Sequence, residues 1–227
     1  MGNYDDMLKR LVTYRKSLGL LQKQIGGLIG LSQEQYSYLE SGTTKITDKN
    51  LKAFSDVGMN IDYLLTGKNY DYSAEELDEV LGEFNGTDRN FAMKMLAEVI
   101  VERFDRIDIT ERENVAEKNI RQLTAISQSW NDFSMINFVR EEQNCSQIEM
   151  AQRLGIGIKK YRDIERENRY PDAEILVNLY SMSGYQPTLF MNVQDRRLMA
   201  IKMIWVALKS DEKKNIINFI KAIKKLV

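Results

Sequence analysis

Two stretches of this chain follow nearly the same pattern. Residues 20–42 read LLQKQIGGLIGLSQEQYSYLESG, and residues 145–166 read CSQIEMAQRLGIGIKKYRDIER. Aligned with an offset of 125 positions, the two stretches share apolar positions, a glycine, a tyrosine and a glutamate. The identical pairs include Gln22 and Gln147, Gly30 and Gly155, Tyr36 and Tyr161, and Glu40 and Glu165. This agreement predicts that the chain contains an internal duplication.

The similarity continues on both sides of these stretches. Phe54 aligns with Tyr180 at an offset of 126, and Leu96 aligns with Ile220 at an offset of 124. Apolar residues recur at helical spacing and alternating strand patterns are missing, so we predict an all-α fold. Each half is expected to be a five-helix domain followed by a helical hairpin. The expected regions are a first domain at 1–70, a hairpin and linker at 71–127, a second domain at 128–192 and a hairpin at 193–227.

Local signals within each stretch are typical of two short helices joined by a tight turn. Gly30 and Gly155 follow the first of these helices, where the turn needs a residue at positive φ. Gly26 and Ala151 supply a small side chain where the two helices are expected to cross. The predicted N-caps are Ser32 and Ser146, the latter in a capping box with Glu149.

The two stretches resemble the helix-turn-helix domain of the lambdoid phage repressor and Cro family, often called the XRE type. The resemblance covers the five-helix region of each half and excludes the hairpins. It implies a domain whose third helix reads DNA. It also implies that an arginine of the first helix pairs with a glutamate that ends the third helix. The expected structural ion pairs are Arg15 with Glu40 and Arg140 with Glu165.

The resemblance further implies which residues contact DNA. The second helix of such domains points its N-terminus at a phosphate, and Gln22 and Gln147 occupy that place. The recognition helix enters the major groove N-terminus first, where lysine or arginine can pair with guanine and glutamine with adenine. The predicted base-contacting residues are Gln33, Glu34, Gln35, Ser37 and Tyr38 in the first half, and Ile158, Lys159, Lys160, Arg162 and Asp163 in the second. Lys45 and Arg169, in the loops that follow, are predicted phosphate contacts.

The two halves depart from the family pattern in different ways. Leu21 stands where a serine or threonine usually caps the second helix, and Gly26-Gly27 lowers the helix propensity of that helix. The first recognition helix carries Glu34 and no lysine or arginine, whereas the second is basic. We therefore expect the two domains to read different sequences. It stays open whether one domain has lost DNA binding and serves pairing instead.

The composition argues against an enzyme. The chain has no histidine and a single cysteine, Cys145, which excludes histidine-based catalytic sets, cysteine-rich zinc sites and an internal disulfide. A serine–lysine dyad is formally possible, but no pattern indicates one. We expect no enzymatic activity, no cofactor, no metal and no identifiable small-molecule ligand. No apolar run is long enough to span a bilayer, so we expect no membrane association and a cytoplasmic, nucleoid-associated protein.

Charge is distributed unevenly between the hairpins. The whole chain has a formal net charge of −1, yet residues 71–115 carry a net −8 and residues 193–227 a net +6. Each hairpin also has an apolar stripe that needs a partner. Opposite charges predict that the hairpins pack on each other. They could do so within one chain, as a pseudo-symmetric monomer, or between chains, as a homodimer through residues 73–115 and 195–227.

Together these features favour a sequence-specific transcriptional regulator that binds double-stranded DNA with two unlike recognition helices. A repressor of prokaryotic or phage type is the expected kind, because no activation surface is evident. The alternative is a protein-interaction module, antirepressor or antitoxin-like, that retains the helix-turn-helix fold. The acidic first hairpin and Glu34 in the first recognition helix give weight to that alternative.

Overall fold

The computed structural model describes residues 4–70, 72–103, 114–191, 193 and 195–225. These residues form α-helices and one 3-10 helix, with no β-strand element among them, which confirms the predicted all-α fold. None of the described helices is long and apolar enough to cross a membrane. The first half contains α1 (Tyr4–Ser17), α2 (Gln22–Leu28), α3 (Gln33–Glu40), α4 (Asp48–Asp56), α5 (Ile61–Thr66), α6 (Glu75–Gly82) and α7 (Gly86–Arg103). The rest contains α8 (Asn114–Gln128), α9 (Met135–Glu142), α10 (Gln147–Arg153), α11 (Ile158–Glu165), α12 (Ala173–Ser183), the 3-10 helix (Pro187–Phe190), α13 (Arg196–Trp205) and α14 (Ser210–Lys224).

Helix boundaries follow local capping chemistry. The side chains of Ser32 and Thr47 accept hydrogen bonds from backbone N–H groups three residues further on, at the starts of α3 and α4. Ser146 forms the predicted capping box, in which the Glu149 N–H donates to the serine Oγ (3.2 Å) and the Ser146 N–H donates to the glutamate Oε2 (2.8 Å). Gly184 ends α12 in the left-handed region at φ 66°, which glycine adopts without a steric penalty.

Several elements differ from the sequence expectations. Residues 114–128 form α8, where we expected mainly a linker. The first helix of the second half begins at Met135 rather than at Asp132, because the Ser134 side chain accepts a hydrogen bond from the backbone N–H of Asn137 and so caps the helix. The fifth element of the second half, expected as residues 187–191, is a 3-10 helix with Pro187 at its first position.

The first hairpin also differs at its turn. We expected a break at residues 85–87 and a helix from Asp88 to about Arg106. The preceding helix, α6, ends at Gly82 and the longer helix, α7, begins at Gly86, so the break lies at residues 83–85, two positions earlier than expected. The end of the expected helix, beyond Arg103, lies outside the described residues.

The chain divides into two compact units, and each unit combines parts of both halves. The first unit comprises Met1–Tyr70 and Ser134–Gln194, which hold both five-helix regions. The second unit comprises Asp71–Phe133 and Asp195–Val227, which hold both hairpins and α8. Pairing between the halves, rather than order along the chain, therefore organises the fold.

In the first unit, the two five-helix regions meet at related positions. The backbone N–H of Thr188 donates to Asp62 Oδ1 (2.9 Å), and its hydroxyl donates to Asp62 Oδ2 (2.7 Å). These two residues occupy the same position of the repeat, at an offset of 126. The Ala173 N–H also donates to the Ile46 carbonyl oxygen (3.1 Å). A contact between a position and its own counterpart, such as that of Asp62 with Thr188, is one that a two-fold axis between the regions would produce.

The second unit buries the apolar stripes of both hairpins in one core. Its buried residues come from α6, α7, α8, α13 and α14, and include Leu77, Leu96, Leu123, Ile201 and Ile220. The Lys202 ammonium bonds Asp78 Oδ2, again a position and its counterpart, here at an offset of 124. A second ion pair joins Lys224 to Glu83. Thus the hairpins, acidic against basic, pack on each other within one chain, one of the two arrangements that the sequence left open.

Candidate nucleic-acid interface

Each half contains two short helices joined by a glycine turn. Gly30 follows α2 at φ 73°, and Gly155 follows α10 at φ 67°. After the turn the chain folds back, and the Leu31 N–H donates to the Gly26 carbonyl oxygen (2.8 Å). The Ile156 N–H donates to the Ala151 carbonyl oxygen (3.0 Å) in the same way. The helix pairs α2–α3 and α10–α11 therefore have the same turn geometry.

The predicted small residue of the first pair lies close to α3 and to the turn before it. A Cβ added to Gly26 would lie 3.0 Å from the Leu31 carbonyl oxygen and 3.2 Å from that of Ser32. Ala151 fills the equivalent position and is buried. The neighbouring Gly27 differs, because a Cβ added there would meet nothing within 4 Å. Only the first of the two glycines is thus tied to the helix crossing.

Both predicted ion pairs are present and hold the first helix of each domain to the end of the recognition helix. Arg15 Nε donates to Glu40 Oε1 (2.6 Å), and Arg140 Nε donates to Glu165 Oε1 (2.7 Å). Burial by itself raises the pKa of Glu40. The hydrogen bonds from Arg15 and Gln22 outweigh burial, so the pKa of Glu40 is lowered overall and its carboxylate stays charged.

The glutamines that begin α2 and α10, predicted to lie at a phosphate, use their side chains within their own domain. Gln22 Nε2 donates to Glu40 Oε2 (2.8 Å), and Gln147 Nε2 donates to Glu165 Oε2. The side-chain amides therefore complete the ion pairs, because a buried carboxylate needs partners for both oxygens. The predicted phosphate contact at these helix starts stays a prediction.

The exposed face of α3 is polar and carries no positive charge. Gln33, Glu34 and Tyr38 are exposed, and Ser37 is partly buried. The Tyr38 hydroxyl donates to Glu34 Oε1 (2.7 Å). Gln35 caps its own helix, because its Oε1 accepts from the Ser32 N–H (2.9 Å). Of the five residues predicted to contact bases here, Gln35 is thus already engaged as a cap.

The exposed face of α11 is basic, although not all of its cations point outward. Lys159 is exposed, while Ile158 and Asp163 are partly buried. Lys160 Nζ donates to Oδ2 of Asp172 (2.8 Å), which is the N-cap residue of α12. The side chain of this predicted base contact therefore points toward its own domain. Arg162 is exposed, and its Nε donates to Gln147 Oε1 (3.1 Å).

The two loop cations predicted to bind phosphate have different surroundings. Lys45 forms an ion pair with Glu174 of the other half, and this carboxylate raises the pKa of the lysine. The Lys45 side chain is 68% exposed to solvent and that of Glu174 is 44% exposed. Arg169 is exposed in the loop after α11. The sequence gave no sign of the Lys45–Glu174 pair, because its members lie 129 positions apart.

Three exposed leucines of the first half were also missed by the sequence reasoning. Leu18, Leu21 and Leu28 lie before, at the start of and at the end of α2, and these residues are 51%, 67% and 60% exposed. The repeat could have revealed them. The residues at the equivalent positions of the second half are polar: Gln143, Ser146 and Arg153.

Comparison with known families agrees with this geometry. Residues 11–57 match the model of a family described as Helix-turn-helix, and residues 134–196 match that of a family described as Helix-turn-helix domain. The two matched segments contain α2–α3 and α10–α11, respectively. No curated protein and no solved structure matches the chain. The two family matches support a DNA-binding regulator.

Proposed function

We propose that this chain, a tandem XRE-type helix-turn-helix protein, is a sequence-specific repressor that binds duplex DNA as a single-chain equivalent of a two-fold dimer. The contact between Asp62 and Thr188 carries the proposal, because it joins equivalent positions of the two domains in one compact unit. Domains that pair in this way can present two recognition helices with a fixed spacing. On one face of B-DNA that spacing is about 34 Å.

In this proposal α3 and α11 read the two half-sites of the operator. Gln33 and Glu34 are the exposed residues early in α3, and their chemistry suits adenine and the cytosine amino group. In α11, Lys159 suits guanine and Asp163 suits cytosine. Arg169 and, once released from Glu174, Lys45 would contact phosphates. Because the two sets differ, the operator is expected to be non-palindromic.

Repression follows from occupancy alone. A protein that covers about two turns of a promoter duplex excludes other proteins from the same surface, without any further chemistry. No described feature points to a surface for recruiting a polymerase.

The proposal is tested by selecting bound duplexes from a random DNA library and measuring the stoichiometry of the complex. We expect one chain per duplex, an asymmetric motif and affinity that falls as salt rises, because phosphate contacts release counterions. Lys159→Ala combined with Arg162→Ala should reduce the affinity and the salt dependence. Failure to enrich any motif, with binding insensitive to those substitutions, would contradict the proposal.

A second candidate function is a protein-interaction module. The exposed leucines of the first half favour it, because exposed apolar stripes are typical of protein contacts. Leu21→Ser with Leu28→Arg gives the first half the residues of the second. If the module binds a protein, these substitutions should abolish capture of that protein and leave DNA affinity unchanged.

A further inference from the structure

In the second half, a chain of hydrogen bonds runs from the protein interior to the surface. The buried Glu165 accepts from Arg140 through Oε1 and from Gln147 through Oε2. Gln147 Oε1 in turn accepts from the exposed Arg162, through Nε at 3.1 Å. The amide of Gln147 has one satisfactory orientation, because only its NH₂ group can donate to the carboxylate and only its oxygen can accept from the guanidinium.

These hydrogen bonds hold Arg162 at the edge of the recognition helix. The buried side of α11 contains Tyr161, Ile164 and Glu165. At about 100° per residue, Lys159 and Asp163 lie on the side opposite these buried residues. Arg162 lies at the boundary between the buried side and the opposite side, next to the first residue of α10. The residues opposite the buried side meet bases when a recognition helix enters the groove, and its edges meet the DNA backbone.

The first half has the same arrangement of a buried arginine, glutamate and glutamine, but it has no arginine at the position equivalent to Arg162. Glu40 accepts from Arg15 and from Gln22, as Glu165 does from its partners. The position equivalent to Arg162 is Ser37, whose side chain is too short and uncharged. The hydrogen-bonded chain therefore stops at the glutamine in the first half and continues to a cation in the second.

We propose that Gln147 is a positioning residue that holds Arg162 ready for one phosphate of the DNA backbone, a contact that the first half lacks. The hydrogen bond to Gln147 engages Nε only, which leaves Nη1 and Nη2 for the phosphate oxygens. A guanidinium fixed in advance loses less side-chain entropy on binding. This inference rests on the proposed DNA binding.

The first test measures how the affinity for the selected duplex depends on salt. Each phosphate contact contributes about 0.9 to the slope of log K against log salt. Arg162→Ala should reduce the slope by about 0.9 and leave the selected motif unchanged. Lys225→Ala, which removes one exposed charge at the end of α14, is the control and should leave the slope unchanged.

A double-mutant cycle tests the positioning role of Gln147. Gln147→Met keeps the length of the side chain and removes both hydrogen bonds. It should weaken binding in the wild-type background and have little further effect in Arg162→Ala. A purely structural role would instead weaken binding equally in both backgrounds.

The first half offers a matched gain-of-contact test. Ser37→Arg places a guanidinium beside Gln22, which could hold it as Gln147 holds Arg162. The slope should increase by about 0.9, and Gln22→Met should cancel the gain. Ser37→Lys is the control, because a lysine adds the charge without the paired nitrogens.

Two results would overturn the inference and spare the proposed function. One is loss of a guanine from the selected motif in Arg162→Ala, which would make the arginine a base reader. The other is additivity of Gln147→Met and Arg162→Ala. Absence of salt-dependent duplex binding by the wild-type chain would instead contradict the proposed function itself.

Discussion

The outer surfaces of α2 and α10 differ far more than their buried surfaces do. Both helices hold a buried arginine–glutamate pair through their first glutamine, and both end in the same glycine turn. Outside, Leu21 and Leu28 of the first half face solvent where the second half has Ser146 and Arg153. Packing constrains a buried position in both copies of a duplication, whereas an exposed position is free to change. The exposed differences are therefore the place to look for separate roles of the two halves.

The largest expected effect tests the shared part of this comparison. Arg15→Met leaves Glu40 buried without its cation, and Arg140→Met does the same to Glu165. Each substitution should cost about 3–5 kcal/mol in the free energy of unfolding, measured by urea denaturation. Arg15 should cost more, because its side chain is 10% exposed against 19% for Arg140. A cost below about 1 kcal/mol in either half would show that the pair is not a shared structural element.

The stability that the Arg15–Glu40 pair contributes should depend on pH. The pKa of Glu40 is lowered because the hydrogen bonds from Arg15 and Gln22 outweigh the opposing effect of burial. A carboxylate with a lowered pKa contributes stability that is complete above its ordinary pKa of 4.5 and is lost as pH falls through the lowered pKa. The difference in the free energy of unfolding between the wild type and Arg15→Met should therefore disappear as pH falls through the lowered pKa of Glu40. A difference that stayed constant down to pH 2 would contradict this account.

An intermediate effect is expected where the halves meet. Thr188→Val keeps the shape of the side chain and removes the hydroxyl that donates to Asp62. Loss of a hydrogen bond to a charged group should cost about 2 kcal/mol near neutral pH. Burial raises the pKa of Asp62, and the hydrogen bonds from Thr188 oppose that rise. The cost should shrink as pH falls through the raised pKa, because the protonated carboxyl depends less on the donor. Urea denaturation at several pH values measures this, and a pH-independent cost would contradict it.

A smaller effect should separate two neighbouring glycines in α2. Gly27→Ala should stabilise the chain by about 0.5–1 kcal/mol, because alanine favours a helix and its Cβ meets nothing within 4 Å. Gly26→Ala gains the same propensity but brings its Cβ within 3.0 Å of the Leu31 carbonyl oxygen. It should be less stable than Gly27→Ala in thermal unfolding. Equal stability of the two variants would mean that the helix crossing in the first half is as open as that around Ala151.

The smallest effect is expected at the ion pair between the halves. Lys45 is exposed and Glu174 is about half-exposed, and ion pairs in water contribute little to stability. Lys45→Ala should therefore leave the free energy of unfolding nearly unchanged at moderate salt. If Lys45 contacts phosphate in the proposed complex, the same substitution should reduce the salt slope of DNA binding. Glu174→Gln is the matched control, because it releases Lys45 without removing its charge.

The repeat and the family resemblance made the buried contacts predictable and left most of the surface contacts hidden. The turn glycines were expected at positions that agree at one offset, and the two ion pairs were implied by the resemblance. The side-chain partners of Gln22 and Lys45 were not expected, because only the folded chain brings them close. Gln35 shows a third case, since its capping bond competes with the base contact that its position suggested.

The joining of both domains into one polypeptide also affects behaviour at low concentration. Two separate subunits come apart on dilution, as the law of mass action requires. Covalent linkage gives the two partners a high effective concentration that does not depend on how many molecules are present. The contact around Asp62 and Thr188 should thus persist at a few molecules per cell. Titration of DNA should then follow a simple hyperbola, without the sigmoidal onset of a dimer that must first assemble.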